Sequence, residues 1–362
     1  MNIKALATAL LMATLSLTAC SSDDGEPSAA VLPTAARVTL LITPNGLGDN
    51  GYNDCIVKGL FRFYELSGIP VSLIQPQDSM EAVALYRDWL NENAETDSAV
   101  LVVGSSTYEQ MVMNQPPQLT GTGSRVLLME SMLSLEGAST VMIDRYGVSY
   151  WAGAMLHDSP ALIYAAAPGI SVLEPAIQGF LDGHNCQPAH VGRDSIVTTA
   201  YLSDSESGFA SSEAAYNFMI TFIQENDADF LCDYCIFPLL GGSGLGVLRA
   251  INDIRSTTGI LVGMDVDQAG LSQYIPFSVV TKIDDVLGKY LSDWKNGLDW
   301  PRTQVLGLKD DVTDIALSTT YYHPLDYYVV EGLANAQQIR ERYNYYQKES
   351  LIKEAEYEKR FQ

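Results

Sequence analysis

Val38-Thr39-Leu40-Leu41-Ile42 is an apolar, β-branched run, and the residues that follow it decide the fold. A loop comes next, Thr43-Pro44-Asn45-Gly46-Leu47-Gly48-Asp49-Asn50-Gly51-Tyr52-Asn53. From Asn53 to Ser67, Ile56, Leu60 and Phe63-Tyr64 recur at helical spacing, and Gly68 supplies a C-terminal stop. Val71 to Ile74 is a second strand. Strand, helix and strand in so short a stretch form a βαβ unit, which requires a parallel sheet covered by helices.

The same rhythm extends in both directions of the argument. Ser79 caps a predicted helix through Leu90, and strands follow at 98–103, 125–129 and 140–143. A helix and a Pro/Gly-rich loop lie between Gly104 and Gly123. After Asp144 the alternation restarts: helices over 147–156, 173–183, 211–225 and 245–254 interleave with strands over 161–166, 195–202, 230–237 and 260–264. Two runs of about five strands each predict two similar lobes, although no residue-level repeat joins them. Ser278 to Lys282 is a further strand, Asp284 caps the helix after it, and short strands are expected at 304–308 and 312–317. The tail, 326–362, is polar and amphipathic, a surface helix or helix pair that could brace the lobes.

Composition bounds the function. The 362 residues carry 44 Asp+Glu against 21 Lys+Arg, a net charge of -23. Without residues 1–19, which hold one Lys and no acid, the balance is 20 − 44, or −24. A phosphate backbone or an anionic lipid surface must be met by clustered Lys and Arg, so both are excluded as partners of the folded chain. With 18% charged and 47% apolar residues the chain is globular, and two domains suit its length.

Residues 1–19 read as a secretory signal: Lys4, then an apolar run from Ala5 to Leu17 too short to span a bilayer. Leu17-Thr18-Ala19-Cys20 resembles the lipobox of bacterial lipoproteins, which implies lipid on Cys20; plain cleavage near Ala19 is the alternative. Residues 20–36 form a tether, and its Ser21-Ser22-Asp23-Asp24-Gly25 start resembles the surface-export signal of Bacteroidetes lipoproteins. The expected location is the bacterial cell envelope, with the outer membrane or cell surface among the options and the anchor as the only membrane contact.

Cys232-Asp233-Tyr234-Cys235 has redox or zinc spacing, but on a strand its two sulfurs would diverge. No second pair completes a metal site, so buried thiols are the favoured reading of Cys55, Cys186, Cys232 and Cys235, with a disulfide allowed in an oxidising compartment. His157, His184, His190 and His323 form no cluster and read as structural or solvated.

In open parallel sheets, ligands bind beyond the carboxyl ends of the strands. The candidates there are Asp49, Tyr52 and Asn53 after the first strand, and Ser105 after the third. Gly242 follows the strand ending at Phe237, Asp265 follows 260–262, and Lys282 closes the next strand. Each has a plainer reading. Asp49 or Asn53 could cap a helix, and Asp265 and Lys282 could be an ion pair joining the lobes. Gly242 to Gly246 matches neither the dinucleotide fingerprint nor a Walker loop. Together, acids, an amide, a lysine and a ring suit a sugar-plus-base ligand.

In this order, these segments resemble the basic membrane protein family, the PnrA-like nucleoside-binding lipoproteins of ABC transporters. Gly48 to Asn53 is similar to the family's Asp-Asp-x-Ser-Phe-Asn, and Tyr146 to Gly153 to its Glu-Gly-x-x-x-x-Gly helix. Gly179-Phe180-Leu181-Asp182-Gly183 is similar to its Gly-Phe-x-x-Gly. Gly241 to Gly246 followed by Gly263 to Gln268, then Lys282 and Gly307-Leu308-Lys309-Asp310, complete the order. The resemblance covers Val38 to about Leu317 and implies a type I periplasmic-binding fold of two Rossmann-like lobes with three hinge crossings. It implies that Tyr52 stacks on the ligand, that Asn53 contacts it, and that Asp265 and Lys282 hold ribose hydroxyls. Gly48 and Gly51 depart from an acid and a Ser, and Leu202 stands at a Phe position, where Tyr201 could supply the ring.

The lobes are expected at 37–144 with 283–302 or so, and at 145–282 with 303–320 or so, and the extension at 321–362. The expected role is a lipid-anchored solute-binding protein of an ABC-type uptake system, not an enzyme, with no cofactor and no metal. A small-molecule ligand and an ABC permease would be its partners. The alternatives are a surface interaction lipoprotein on the same fold and a nucleoside-processing enzyme.

Overall fold

The computed structural model describes residues 36–187, 197–226, 234–254, 259–319 and 336–360. Its first sheet has six parallel strands in the order β2-β1-β3-β4-β5-β12. These are β1 (Arg37–Leu41), β2 (Val71–Ile74), β3 (Ala99–Val103), β4 (Arg125–Met129), β5 (Ala138–Ile143) and β12 (Thr303–Leu306). Every other residue of a strand faces the same side, and both sides are buried. Val38, Leu40, Val100, Val102, Leu127 and Val141 pack under α1 (Tyr52–Ser67) and α8 (Ile283–Lys295). Leu41, Leu101, Val103, Val126 and Leu128 face α2 (Ser79–Asn93) and α3 (Glu109–Asn114).

The second lobe is built around β7-β6-β8-β9, again all parallel. Its strands are β6 (Ala161–Ala165), β7 (Val197–Tyr201), β8 (Tyr234–Leu239) and β9 (Gly259–Leu261). A small sheet, β10-β11-β13, completes it: β10 (Gly263–Asp265) runs parallel to β11 (Phe277–Thr281), and β13 (Thr313–Leu317) runs antiparallel to β11. Its helices are α4 (Tyr146–Met155), α5 (Glu174–His184), α6 (Ser212–Asn226) and α7 (Gly244–Ile254). This is the α/β, two-lobed architecture of parallel sheets that the sequence implied.

The chain passes between lobes at 143–146, 281–283 and 306–313. The expected boundary at the third crossing is corrected. Residues 303–306 were expected with the second lobe, but β12 pairs in register with β5, Thr303 against Thr140 through Leu306 against Ile143. The crossing therefore falls after β12. Two caps also differ. Asp78, not Ser79, caps α2, accepting from the Met80 and Glu81 amides at 2.8 and 2.9 Å. Asp284 lies in the first turn of α8 and pairs with Lys58 at 2.9 Å, while Lys282 holds the cap position.

The glycines of the second-lobe motifs have a packing role. All ten residues of α4 are buried. A Cβ at Gly153 would lie 2.2 Å from the Phe180 carbonyl, and one at Gly183 would lie 2.0 Å from that of Tyr150. Only bare glycine backbone lets α4 and α5 approach this closely. On the other side of α4 lies α9 (Ala336–Glu358), the described part of the C-terminal extension. The Tyr357 ring stacks on Tyr146 at 4.0 Å, and Trp151 donates to the Tyr343 carbonyl at 2.9 Å.

The expected strand over 230–237 is seen as 234–239; residues 227–233, Cys232 among them, lie outside the described residues, as do Cys20, His190 and His323. Cys55 and Cys235 are buried, and His184 is buried with its Nε2 against the Ser159 carbonyl at 2.7 Å. Among the described residues no helix is long and apolar enough to cross a membrane.

Candidate functional site

The strand orders place the site. In both large sheets the order reverses beside the first strand of the lobe, between β1 and β3 and between β6 and β8, leaving a crevice at the carboxyl ends. The loops at the two crevices face one another across a cavity of about 310 Å³. Small-molecule sites run from about 300 to 1,000 Å³, so this one suits a small solute.

Asp49, Tyr52, Asn53, Ser105, Gly242 and Asp265 all line this cavity. Lys282 does not. Its ammonium reaches away to Asp311 at 2.6 Å, a pair on the surface of the third crossing. The ribose pair implied by the resemblance, Asp265 with Lys282, is thus not assembled. The cation that does line the cavity is Arg145, at the first crossing.

Arg145 is 7% exposed and forks onto Glu130, itself 4% exposed, through hydrogen bonds of 2.8 and 3.0 Å. It also donates to the Ile143 carbonyl at 3.1 Å. The Asp265 carboxylate stands 3.9 Å from Nη2, the nitrogen that also donates to Glu130. Burial works against the Arg145 charge, but Glu130 outweighs it and holds the guanidinium protonated. Burial pushes the Asp265 carboxyl above its usual range; Arg145 pulls it back, while Asp49 and Glu130 push it further up. Thr281 donates to Asp265 Oδ1 at 3.3 Å.

Glu130 and Asp265 share a second property. Their φ angles are 61° and 64°, left-handed values that non-glycine residues rarely adopt. Strain of this kind persists where surrounding structure fixes it and clusters at binding sites. Here it aims one carboxylate from each lobe at the same guanidinium.

Asp49 both caps a helix and lines the cleft. Its carboxylate accepts from the amides of Gly51 and Asn53 at 2.9 Å and Asp54 at 3.2 Å, which anchors the start of α1. Asp54 closes the loop from below, accepting from Gly48 and Asn50 at 2.8 and 2.9 Å. The Tyr52 hydroxyl and Asn53 Oδ1 are buried without a hydrogen-bond partner. Burial raises the Tyr52 phenol well above its ordinary value, and Glu130 adds to that.

The second-lobe wall is different in kind. Val172, Leu173, Pro238, Leu239, Leu240, Leu245, Leu248, Leu261 and Met264 supply it, with the Phe209 ring. Phe209 is the ring on this wall; Tyr201 is 43% exposed and Leu202 packs on the lobe's core. Gln268 ties the lobes together, donating to the Asn50 carbonyl at 2.9 Å. Arg145, Glu130, Phe209 and Gln268 were not singled out in the sequence. A signal existed for two of them: Arg145 and Glu130 each interrupt long apolar runs.

No protein-family model matches the chain, and no curated protein matches it. Solved structures do. An ABC transporter solute-binding protein from Aeropyrum pernix K1 aligns over 87% of this chain and 86% of its own, at 16% identity and a TM-score of 0.67. A periplasmic solute-binding protein from Actinobacillus succinogenes 130z with bound D-allose aligns over 79% and 99%, at 12% identity and 0.59. A transcriptional activator of the comK gene from Bacillus halodurans aligns over 85% and 95%, at 17% identity and 0.58. The fold is the periplasmic-binding-protein fold. At these identities the likeness carries the fold alone.

Proposed function

We propose that this protein is the solute-binding component of an ABC-type uptake system, lipid-anchored through Cys20, which captures a small solute between its lobes. The observation that carries this reading is the cavity between the lobes, lined by loops from both topological switch points and by a hinge residue. A solute touching both walls favours the closed arrangement over the open one, which is how binding becomes a signal. Two of the neighbouring structures are solute-binding proteins of transporters, which supports the reading.

The order of glycine- and acid-bearing segments shared with the PnrA-like lipoproteins makes a nucleoside the first ligand to test. Tyr52 and Phe209 offer ring faces, and Asp265, Asp49 and Asn53 offer acceptors for hydroxyls. The site binds rather than reacts: Asp49 is held by three amides and Glu130 by Arg145, so neither is free to shuttle a proton.

A thermal-shift screen against nucleosides, sugars, amino acids and amines, followed by calorimetry, tests the proposal. A ligand at a hundredfold its dissociation constant adds about 2.7 kcal/mol, a visible rise in melting temperature. Silence across the panel, beside capture of a protein partner, would replace solute capture with a surface-interaction role.

A further inference from the structure

The groups of the first lobe that could seat an anion are already filled by the protein's own carboxylates. A helix N-terminus ordinarily attracts anions. At α1, though, Asp49 takes the amides of Gly51, Asn53 and Asp54, and Asp54 takes those of Gly48 and Asn50. Glu130 occupies both arms of the Arg145 fork, and the Asp265 carboxylate stands 3.9 Å from Nη2, one of those same arms. Just before α7, Asp49 again stands close: a Cβ built on Gly242 would lie 3.5 Å from that of Asp49.

What remains open is the Tyr52 hydroxyl, which can donate or accept, and a set of acceptors. Asn53 is 6% exposed, lines the cavity and leaves Oδ1 without a partner. Among the described residues the hydrogen bond to the Asp265 carboxylate comes from Thr281 and goes to Oδ1; Oδ2 lies 3.4 Å from where a Gly51 Cβ would be. Among the described residues four carboxylates line the cavity, from Asp49, Glu130, Glu206 and Asp265, against one cation, Arg145. A buried carboxylate without compensation is costly, and a positive ligand group supplies compensation. The wall opposite is apolar and carries the Phe209 ring, while Tyr52 adds a second ring. Carboxylates, an orphan amide oxygen and ring faces together are the chemistry that recognises organic ammonium ions.

We infer that the cleft selects its solute by charge: it takes a molecule with a protonated amine at its polar end and an apolar body, and rejects anions. This rests on the solute-binding reading and names the class within it.

The test uses two matched series, each constant in its body: one apolar, the other a nucleoside. One is 2-phenylethylamine, 2-phenylethanol and 3-phenylpropanoate; the other is 5′-amino-5′-deoxyadenosine, adenosine and adenosine monophosphate. Calorimetry on the full chain should show the amine binding at least about tenfold more tightly than the alcohol in one series, the ratio one charge-assisted hydrogen bond supplies. The anion should not bind. Asp265→Asn, a residue that tolerates the left-handed backbone, should reduce the amine's advantage to less than about threefold. Glu130→Gln, which frees one arm of Arg145, should admit the anionic member. Equal affinity for amine and alcohol, or binding of the anion by the unaltered protein, would overturn the charge selection and leave solute capture standing. Failure of every compound in the wider panel would overturn both.

Discussion

At the first hinge crossing two adjacent residues face opposite ways. Arg145 turns into the cleft and pairs with Glu130. Asp144 caps α4, donated to by the Tyr146 amide at 2.8 Å, and lies on the side covered by α9. Behind it Glu354 of α9 is 0% exposed and accepts from the Leu308 and Lys309 amides at 3.1 Å. It fits because positions 147 and 307 are glycine; a Cβ there would lie 2.2 and 2.8 Å from its carboxylate oxygens. Front and back of the hinge thus bury a carboxylate by different means. Glu130 has a cation beside it. Glu354 accepts hydrogen bonds from amides and interacts electrostatically with Lys309, but burial, with Asp144 and Glu358 pushing the same way, raises its carboxyl to about 7. The cleft side is built to hold charge; the α9 side is built to give it up.

The largest effect that separates the two is removal of the front cation. Arg145→Ala strands the Glu130 carboxylate and should cost about 3–5 kcal/mol in denaturant unfolding. Adding Glu130→Ala should recover much of that loss, since the pair is then removed together. Full additivity would break the account of the front.

Next comes the pH response of the back. A carboxyl raised from 4.5 to about 7 in the folded protein stabilises it fully below pH 4.5, and that contribution fades as pH rises through about 7. The stabilisation is of order 3 kcal/mol. Unfolding followed from pH 5 to 8 should therefore show α9 loosening as pH rises. Glu354→Gln should flatten that slope and lower the stability at pH 5 by about 1 kcal/mol, because its NH2 meets an amide N–H. An unchanged slope in the variant would place the titration elsewhere.

Smaller again is Asp49→Ala, which releases three amides at the start of α1 and should cost about 0.5–2 kcal/mol in the same measurement. Smallest is Lys282→Ala. Its partner Asp311 is 85% exposed, so loss of the pair should move stability by less than about 0.5 kcal/mol.

Much of this could be read in the sequence, and the exceptions share a cause. The alternation of Val38–Ile42, Ala99–Val103 and Ala161–Ala165 with amphipathic stretches gave the two-lobed parallel fold, because strands buried on both faces are continuous apolar runs. Thr303 to Leu306 is short and half-buried, and such a strand carries no sign of which sheet it joins. Asp49 and Asp265 were legible as acids at strand ends. Lys282 sits at a strand end too, yet its direction depends on Asp311, across a crossing whose geometry periodicity does not describe. Arg145 went unread because its burial comes from Glu130 and Asp265, residues 15 and 120 positions away in the chain. Gly153, Gly179 and Gly183 stand out in the sequence only as parts of the resembled family's motifs, whereas in the structure they let α4 and α5 touch backbone to backbone.

The central claim is that the cleft built around Asp265 and Arg145 holds the solute and that Lys282 takes no part. The most direct measurement is the melting shift given by the best ligand of the panel on the unaltered protein, Lys282→Ala and Asp265→Ala. The account predicts the same shift in Lys282→Ala and its loss in Asp265→Ala. Loss in Lys282→Ala with the shift kept in Asp265→Ala would contradict it.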